Sequence, residues 1–475
     1  MADTISPGYI NFGTSMSSRP SAYQADMPAQ GVRKPRGSKP IVTEAVPHIR
    51  SGPADGANKE HLGLTPTIAK AIDRTSQRLN SIDFLRGLVM IIMLLDHTRE
   101  YVHAEATRFS PTDLTQTNVL LFLTRWITHF CAPVFVFLAG TSVSLQQMRG
   151  KSQAELSQFL TTRGLWLIIL EFTLVRFTLL FNVDYSFLGL AAVIWAIGVS
   201  MMVLAGLIYL PTRVTAILGI GTVALHNLLD GIRVPVATAM AGTPPPDGLQ
   251  RIWLILHQPG FVPLFRNDLT LFVAYPLVPW IGVMATGYAL GGIYSWESQR
   301  RRKWLLRLGL ALTMLFVVIR ATNVYGDPQV WTTQASTVFT VLSFLNVTKY
   351  PVSLLFLLMT LGPALLVLAW TDGIQKNNGL SRIFITFGRV PLFYFILQMI
   401  VAHGFGVLLG YLAGKSVGYL FLNFPASSTN APPNAGFGLG VVYAAWIGGL
   451  LILYPLSLWY SRVKQGHGGF PFSYL

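Results

Sequence analysis

The residues able to do chemistry concentrate in one stretch, Arg78-Leu-Asn-Ser-Ile-Asp-Phe-Leu-Arg-Gly-Leu-Val-Met-Ile-Ile-Met-Leu-Leu-Asp-His-Thr-Arg99. Asp83 and Arg86 stand at its start. Asp96 and His97 come about 20 Å further along a helical axis. A neutral imidazole titrating near pH 6.5 can accept a proton from an attacking amine or hydroxyl, and an arginine at the other end can hold a phosphate. At 100° per residue Asp83, Arg86, Met90, His97 and Tyr101 share one helix face. Asp96 points elsewhere and is a poor direct partner for the His97 ring. A group that orients His97 is therefore expected from another helix.

Each of these residues also has a plainer reading. Asn80-x-x-Asp83 has the form of a helix cap with a returning acid. Arg86 can snorkel to headgroups. Asp96 and His97 resist such readings better, because ionisable groups deep in an apolar segment are costly and usually face a cavity or a partner. Glu171 and Arg176 are expected to neutralise partners within a helical bundle. Lys349 before Tyr-Pro and Arg389 in Phe-Gly-Arg-Val-Pro could each hold a phosphate or anchor an interface, whereas His129 and His226 are more ordinary packing residues and His403, five residues after Gln398, is open to either reading. Cys131 is the single cysteine. No HExxH, P-loop, GxSxG or paired-cysteine pattern occurs, so no metal is expected.

These residues sit in an apolar frame. The chain is 52% hydrophobic and only 12% charged, half the charge of an ordinary soluble domain. Its +15 formal charge is spread between apolar segments rather than gathered in one patch, which argues against nucleic acid as a partner. Apolar runs fall at 82–102, 117–146, 158–180, 187–210, 212–229, 269–293, 304–323, 350–371, 384–411 and 437–460. Most are near the ~20 residues that cross a bilayer, and backbone in hydrocarbon must satisfy its own hydrogen bonds, so they read as helices and not as open sheet. The second and ninth are long enough to tilt or break. The expectation is an all-α polytopic membrane protein with about ten transmembrane helices. Alternation from a cytoplasmic N-terminus gathers Arg149, Lys151, Arg213, Arg300–Lys303, Arg382 and Arg462 on one side, as positive-inside bias requires. Both termini are then cytoplasmic. Residues 1–78 read as a disordered basic tail, 79–462 as the membrane domain, and 463–475 as a short cytoplasmic tail.

A family likeness follows from these residues. Ser81-Ile-Asp-Phe-Leu-Arg-Gly87 with Leu95-Asp-His97 resembles the first helix of the heparan-α-glucosaminide N-acetyltransferase-like membrane proteins, a group that includes DUF1624. His129-Phe-Cys-Ala-Pro-Val-Phe-Val-Phe-Leu-Ala-Gly140, Tyr275-Pro-Leu-Val-Pro-Trp-Ile-Gly-Val-Met284, Asn346-Val-Thr-Lys-Tyr-Pro351 and Phe387-Gly-Arg-Val-Pro-Leu-Phe393 extend it across about 79–460. The resemblance implies acyl transfer from cytoplasmic acetyl-CoA to a glycan or glycolipid acceptor on the far side of a membrane, the inner membrane in a bacterium. The Arg-Gly…His spacing is similar to that of the wider transmembrane acyltransferases, in which the histidine is the base and the arginine supports the donor. The pattern also departs from the family: its lysosomal members carry Asn where His97 stands and their reactive histidine further on, so His97 and His103 compete for one role. Bacterial relatives are expected to carry His where Gln398 stands. Asp83, Arg86, Lys349 and Arg389 are the expected donor-binding set, and His97, Asp96 and His103 the expected catalytic set. Membrane lipid and a second copy of the chain are further expected partners. A secondary transporter using Asp96, His97, Glu171 and Arg320, or a non-catalytic envelope protein, are the alternatives.

Overall fold

The computed structural model describes residues 80–234, 246–264, 269–374, 379–424 and 426–466. The expected basic tail lies outside them, as do the last nine residues. Helices dominate. Among the described residues six helical segments are long and apolar enough to cross a membrane: Val119–Met148, Thr212–Leu229, Leu277–Ser295, Ser298–Thr322, Pro391–Leu412 and Leu439–Lys464. Two shorter apolar helices, Val193–Leu207 and Leu354–Trp370, accompany them.

In chain order the helices that matter are α1 (Asn80–Val102), α2 (Val119–Ile127), α3 (Cys131–Met148), α4 (Gln153–Leu170), α5 (Arg176–Leu180), α6 (Val193–Leu207), α7 (Thr212–Leu225), α8 (Gly248–Leu256), α9 (Leu277–Gly291), α10 (Ser298–Thr322), α11 (Thr337–Leu345), α12 (Leu354–Trp370), α13 (Gly379–Arg389), α14 (Pro391–Leu412), α15 (Ala426–Thr429) and α16 (Leu439–Gly466). The two long runs do break. A 3-10 turn at Thr128–Phe130 separates α2 from α3, with Pro133 in the first turn of α3. Pro391 separates α13 from α14 and sits where its missing N–H costs nothing, at the first position of the new helix. α16 runs to Gly466, past the boundary expected at 462.

The all-helical expectation needs correction at two runs. Residues Phe187–Ala191 and Leu269–Val273 are strands β1 and β3, joined by β2 (Gly260–Leu264) in a sheet of order β1-β3-β2. β1 pairs parallel with β3, setting Ala191 opposite Val273, while β2 pairs antiparallel and sets Gly260 opposite Val273. These segments are rich in aromatic and branched residues and end before helix starts, at Ala192 and at Pro276. Apolar length alone did not distinguish a strand followed by a helix from one long helix. The strands satisfy their backbone against one another, and Ala191, Val262 and Val273 are almost fully buried.

α1 packs against α13, α14, α16 and α3. The closest approach needs glycine on both sides. A Cβ on Gly87 would sit 1.8 Å from the Phe384 carbonyl oxygen, and one on Gly388 would sit 1.8 Å from that of Asp83. Small residues of this kind let helix backbones meet where lipid gives no hydrophobic driving force between helices.

Candidate active site

The first end of α1 holds a cationic group. Arg86 Nη1 donates to Asp83 Oδ1 at 3.3 Å, and Arg389 Nε lies 3.6 Å from Asp83 Oδ2. Arg86 also donates to Ser142 Oγ at 3.0 Å and to the Gly388 carbonyl at 3.4 Å. The Gly87–Gly388 contact is what brings Arg389 beside Asp83, since it sets α13 directly on α1. Among the described residues two guanidiniums flank this one carboxylate. The arginine side chains keep 15% and 16% exposure against 4% for Asp83, so the positive groups are the accessible ones. Such a site can take an anion.

The other end of α1 carries a connected line of charges. His97 Nδ1 and Glu100 Oε2 are 2.9 Å apart. Arg99 Nη2 lies 3.8 Å from Glu100 Oε1 and donates to Asp96 Oδ1 at 3.0 Å. Asp96 Oδ2 accepts from Arg125, which also donates to Thr128 Oγ1 at 3.3 Å. The side chains of Arg99, Asp96 and Arg125 are 5%, 11% and 12% exposed, against 19% for His97 and 40% for Glu100. The buried members fix the accessible ones. With Nδ1–H donated to the Glu100 carboxylate, Nε2 is the nitrogen left to accept a proton.

The partner of His97 is thus not from another helix. Glu100, one turn on, supplies it, while the His97 ring meets Phe395 of α14 edge-on at 6.5 Å. Asp96 pairs with Arg99 and Arg125, and Arg99 in turn lies beside Glu100. The His-x-x-Glu spacing could have disclosed Glu100, because residues three apart are neighbours on a helix. Nothing local could have disclosed Arg125: it comes from α2, whose first turn is capped by Asn118 accepting from Leu121 N–H at 2.9 Å.

His103 is placed differently. It follows the last residue of α1 and pairs its backbone with Phe437. Its Nδ1 accepts from the Glu105 backbone N–H at 3.3 Å. Burial, aided by the Arg99 guanidinium, pushes its pKa down to about 4. A base that weak stays neutral at pH 7 but has little drive to take a proton.

The expected donor-binding residues do not come together as one set. Asp83, Arg86 and Arg389 do. Lys349 instead lies in the loop before α12, its ammonium 5.1 Å from the Tyr350 ring centre. Among the described residues Glu171 and Arg176 form no ion pair and are held by backbone groups instead. Glu171 Oε2 accepts from the Trp195 N–H at 2.6 Å in the first turn of α6, and Arg176 donates to the carbonyls of Phe187 and Asn182 at 3.2 and 2.7 Å. Gln398 is fully buried with neither amide atom bonded, and His403 is stacked between Tyr101 and Phe181 at 4.3 and 3.8 Å. Among the described residues no group of His, Cys, Asp or Glu is placed to hold a metal.

A family model described as heparan-alpha-glucosaminide N-acetyltransferase, catalytic, matches residues 78–322, just over half of the 475. The chain belongs to this family. The match takes in both ends of α1 with Glu100, His103 and Arg125, and stops before Lys349, Arg389 and Gln398. No curated protein matches the chain. Membership, with the apolar helices, makes it an integral membrane protein of an acetyltransferase family.

Proposed function

We propose that the chain is a membrane N-acetyltransferase that moves an acetyl group from acetyl-CoA to a sugar or glycolipid amine, or to a hydroxyl, with His97 as general base. The observation that carries this reading is the His97–Glu100 pair at 2.9 Å, on the same helix as Arg86, which Asp83 ties to Arg389 of α13. His97 and Arg86 are eleven residues apart, roughly 16 Å at 1.5 Å per residue, which the pantetheine arm of a CoA bound by its phosphates can span.

In this mechanism Arg86 and Arg389 hold donor phosphate while Asp83 fixes both guanidiniums. The acceptor N–H or O–H gives its proton to His97 Nε2 as the nitrogen or oxygen attacks the thioester carbonyl. Glu100 stabilises the imidazolium that forms. The tetrahedral intermediate expels the CoA thiolate, which recovers the proton, leaving an amide or ester and free CoA. His97 is favoured over His103 because its Nδ1 is held by a carboxylate, whereas that of His103 is occupied as an acceptor and its basicity is depressed by burial. Ten crossings with both termini cytoplasmic would put the Arg86 end on the cytoplasmic side and His97 toward the far side, in the inner membrane of a bacterium. A transporter is less well supported: Glu171 caps α6, and Arg320 is engaged by the carbonyls of Phe344, Gln329, Ser343 and Asn346.

The test uses the full chain in nanodiscs with radiolabelled acetyl-CoA and a panel of amino sugars and glycolipids. Wild type should label an acceptor, and His97→Ala should lower the rate at least 10²-fold with unchanged helicity and melting. Full activity in His97→Ala, or no acetyl-CoA binding by wild type at millimolar concentration, would sink the proposal.

A further inference from the structure

Helix α10 divides cleanly into two faces. Arg301, Leu305, Gly309, Phe316 and Arg320 are buried on one side. Lys303, Trp304, Arg307, Leu310, Met314 and Val318 are exposed on the other. The buried cations are used internally: Arg301 donates twice to Asp372, at 2.7 and 3.1 Å, and Arg320 is held by backbone carbonyls. The exposed cations are not. Among the described residues no carboxylate forms an ion pair with Lys303 or Arg307.

These exposed residues border an open cavity of about 390 Å³, lined by Glu297, Gln299, Arg300, Lys303, Trp304 and Arg307. Three cations and one carboxylate give its wall a net charge of +2. Arg300 lies over the Trp296 ring at 4.7 Å, and Trp296 meets Trp304 edge-on at 5.9 Å. Basic side chains beside paired tryptophans mark the depth of lipid headgroups. The same face then turns apolar, with Leu310 49%, Met314 60% and Val318 57% exposed. From Arg307 to Val318 the axial distance is roughly 16 Å, close to half of a ~30 Å hydrocarbon core.

We propose that this face of α10 is a binding site for one anionic phospholipid, its phosphate and headgroup in the cavity between Arg300, Lys303 and Arg307 and one acyl chain along Leu310, Met314 and Val318. A cationic cavity alone would suit any phosphate. The apolar stripe continuing from it on the same helix face, one leaflet long, commits the ligand to a lipid. The site lies apart from α1 and does not depend on the proposed reaction.

The experiment reconstitutes the full chain in nanodiscs of equimolar phosphatidylglycerol and phosphatidylcholine, releases it into mild detergent, and counts retained lipids by native mass spectrometry. Wild type should retain phosphatidylglycerol at least fivefold over phosphatidylcholine, and this preference should fall toward one in the variant K303Q/R307Q. The charge-matched variant R213Q/R302Q, altered at exposed arginines outside the cavity, should keep the wild-type ratio. Should K303Q/R307Q melt early, the wild type alone decides, since its preference should drop several-fold as salt is raised to about 0.5 M. Equal retention of both lipids, an equal loss in both variants, or a salt-independent ratio would overturn the site. So would a change in oligomer mass with no change in lipid ratio, which would assign the face to a second copy of the chain.

Discussion

At the scale of single residues, the line His97–Glu100–Arg99–Asp96–Arg125 contains groups with distinct tasks. Glu100 is accessible and touches the imidazole, so Glu100→Gln should lower the acetyl-transfer rate on the order of 10²-fold while melting stays put. Asp96 is buried between two guanidiniums, and Asp96→Asn takes a carboxylate from each. Arg99 keeps Glu100 at 3.8 Å, so the uncompensated charge is that of Arg125, and the variant should lose about 3 kcal/mol of stability, seen as a lower melting temperature. Loss of activity without loss of stability in Asp96→Asn would instead place Asp96 in the chemistry. His103 makes a third, separate case. Its folded pKa of about 4 lies below the ordinary 6.5, so the unfolded chain binds the extra proton first. The stability it contributes is present above pH 6.5 and is lost as the pH falls toward 4. Replacing it with Gln should flatten the fall in melting temperature between about pH 6.5 and 4, and an unchanged pH profile would contradict its burial as a neutral ring.

At the scale of elements, α1 and α13 meet because Gly87 and Gly388 have no side chains. Gly87→Leu has to push the helices apart, since even a Cβ would lie 1.8 Å from a carbonyl oxygen. The displacement would also carry Arg389 away from Asp83. The expected result is weaker acetyl-CoA binding together with a lower melting temperature. Gly206→Leu, where a Cβ meets nothing, should do neither. Wild-type donor affinity in Gly87→Leu would separate the cationic group from the donor site. The apolar runs themselves were legible in the sequence, because composition and length suffice for that. The strands β1 and β3 were not, since a short apolar strand running into a helix has the same hydropathy as one longer helix.

At the scale of the whole molecule, the proposed ten crossings assign a side to every loop. Cys131 is buried, so in a Cys131→Ser background single cysteines can report sidedness. Ser152 and Thr115 are both exposed and stand on opposite sides in the proposed topology. A membrane-impermeant maleimide added to intact cells should label Thr115→Cys, and Ser152→Cys only after lysis. The reverse pattern, or labelling of both from outside, would remove the cytoplasmic assignment of the Arg86 end.

The sequence by itself determined that this is a helical membrane chain, and it marked α1 as the helix with chemistry through the cost of Asp96 and His97 in an apolar run. It also carried the family, since the motifs are local strings. Only the tertiary structure decided how those residues are used. Arg125 reaches Asp96 from another helix, Arg389 reaches Asp83 through a glycine contact between helices far apart in sequence, and Lys349 lies against the Tyr350 ring in the loop before α12. Side-chain type and spacing report what a helix face can present, but a contact between distant segments depends on which backbones can approach, and that is fixed only when the helices pack. Glu100 lies between the two cases: its spacing was in view, and its hydrogen bond to His97 depended on rotamers that the packed structure alone selects.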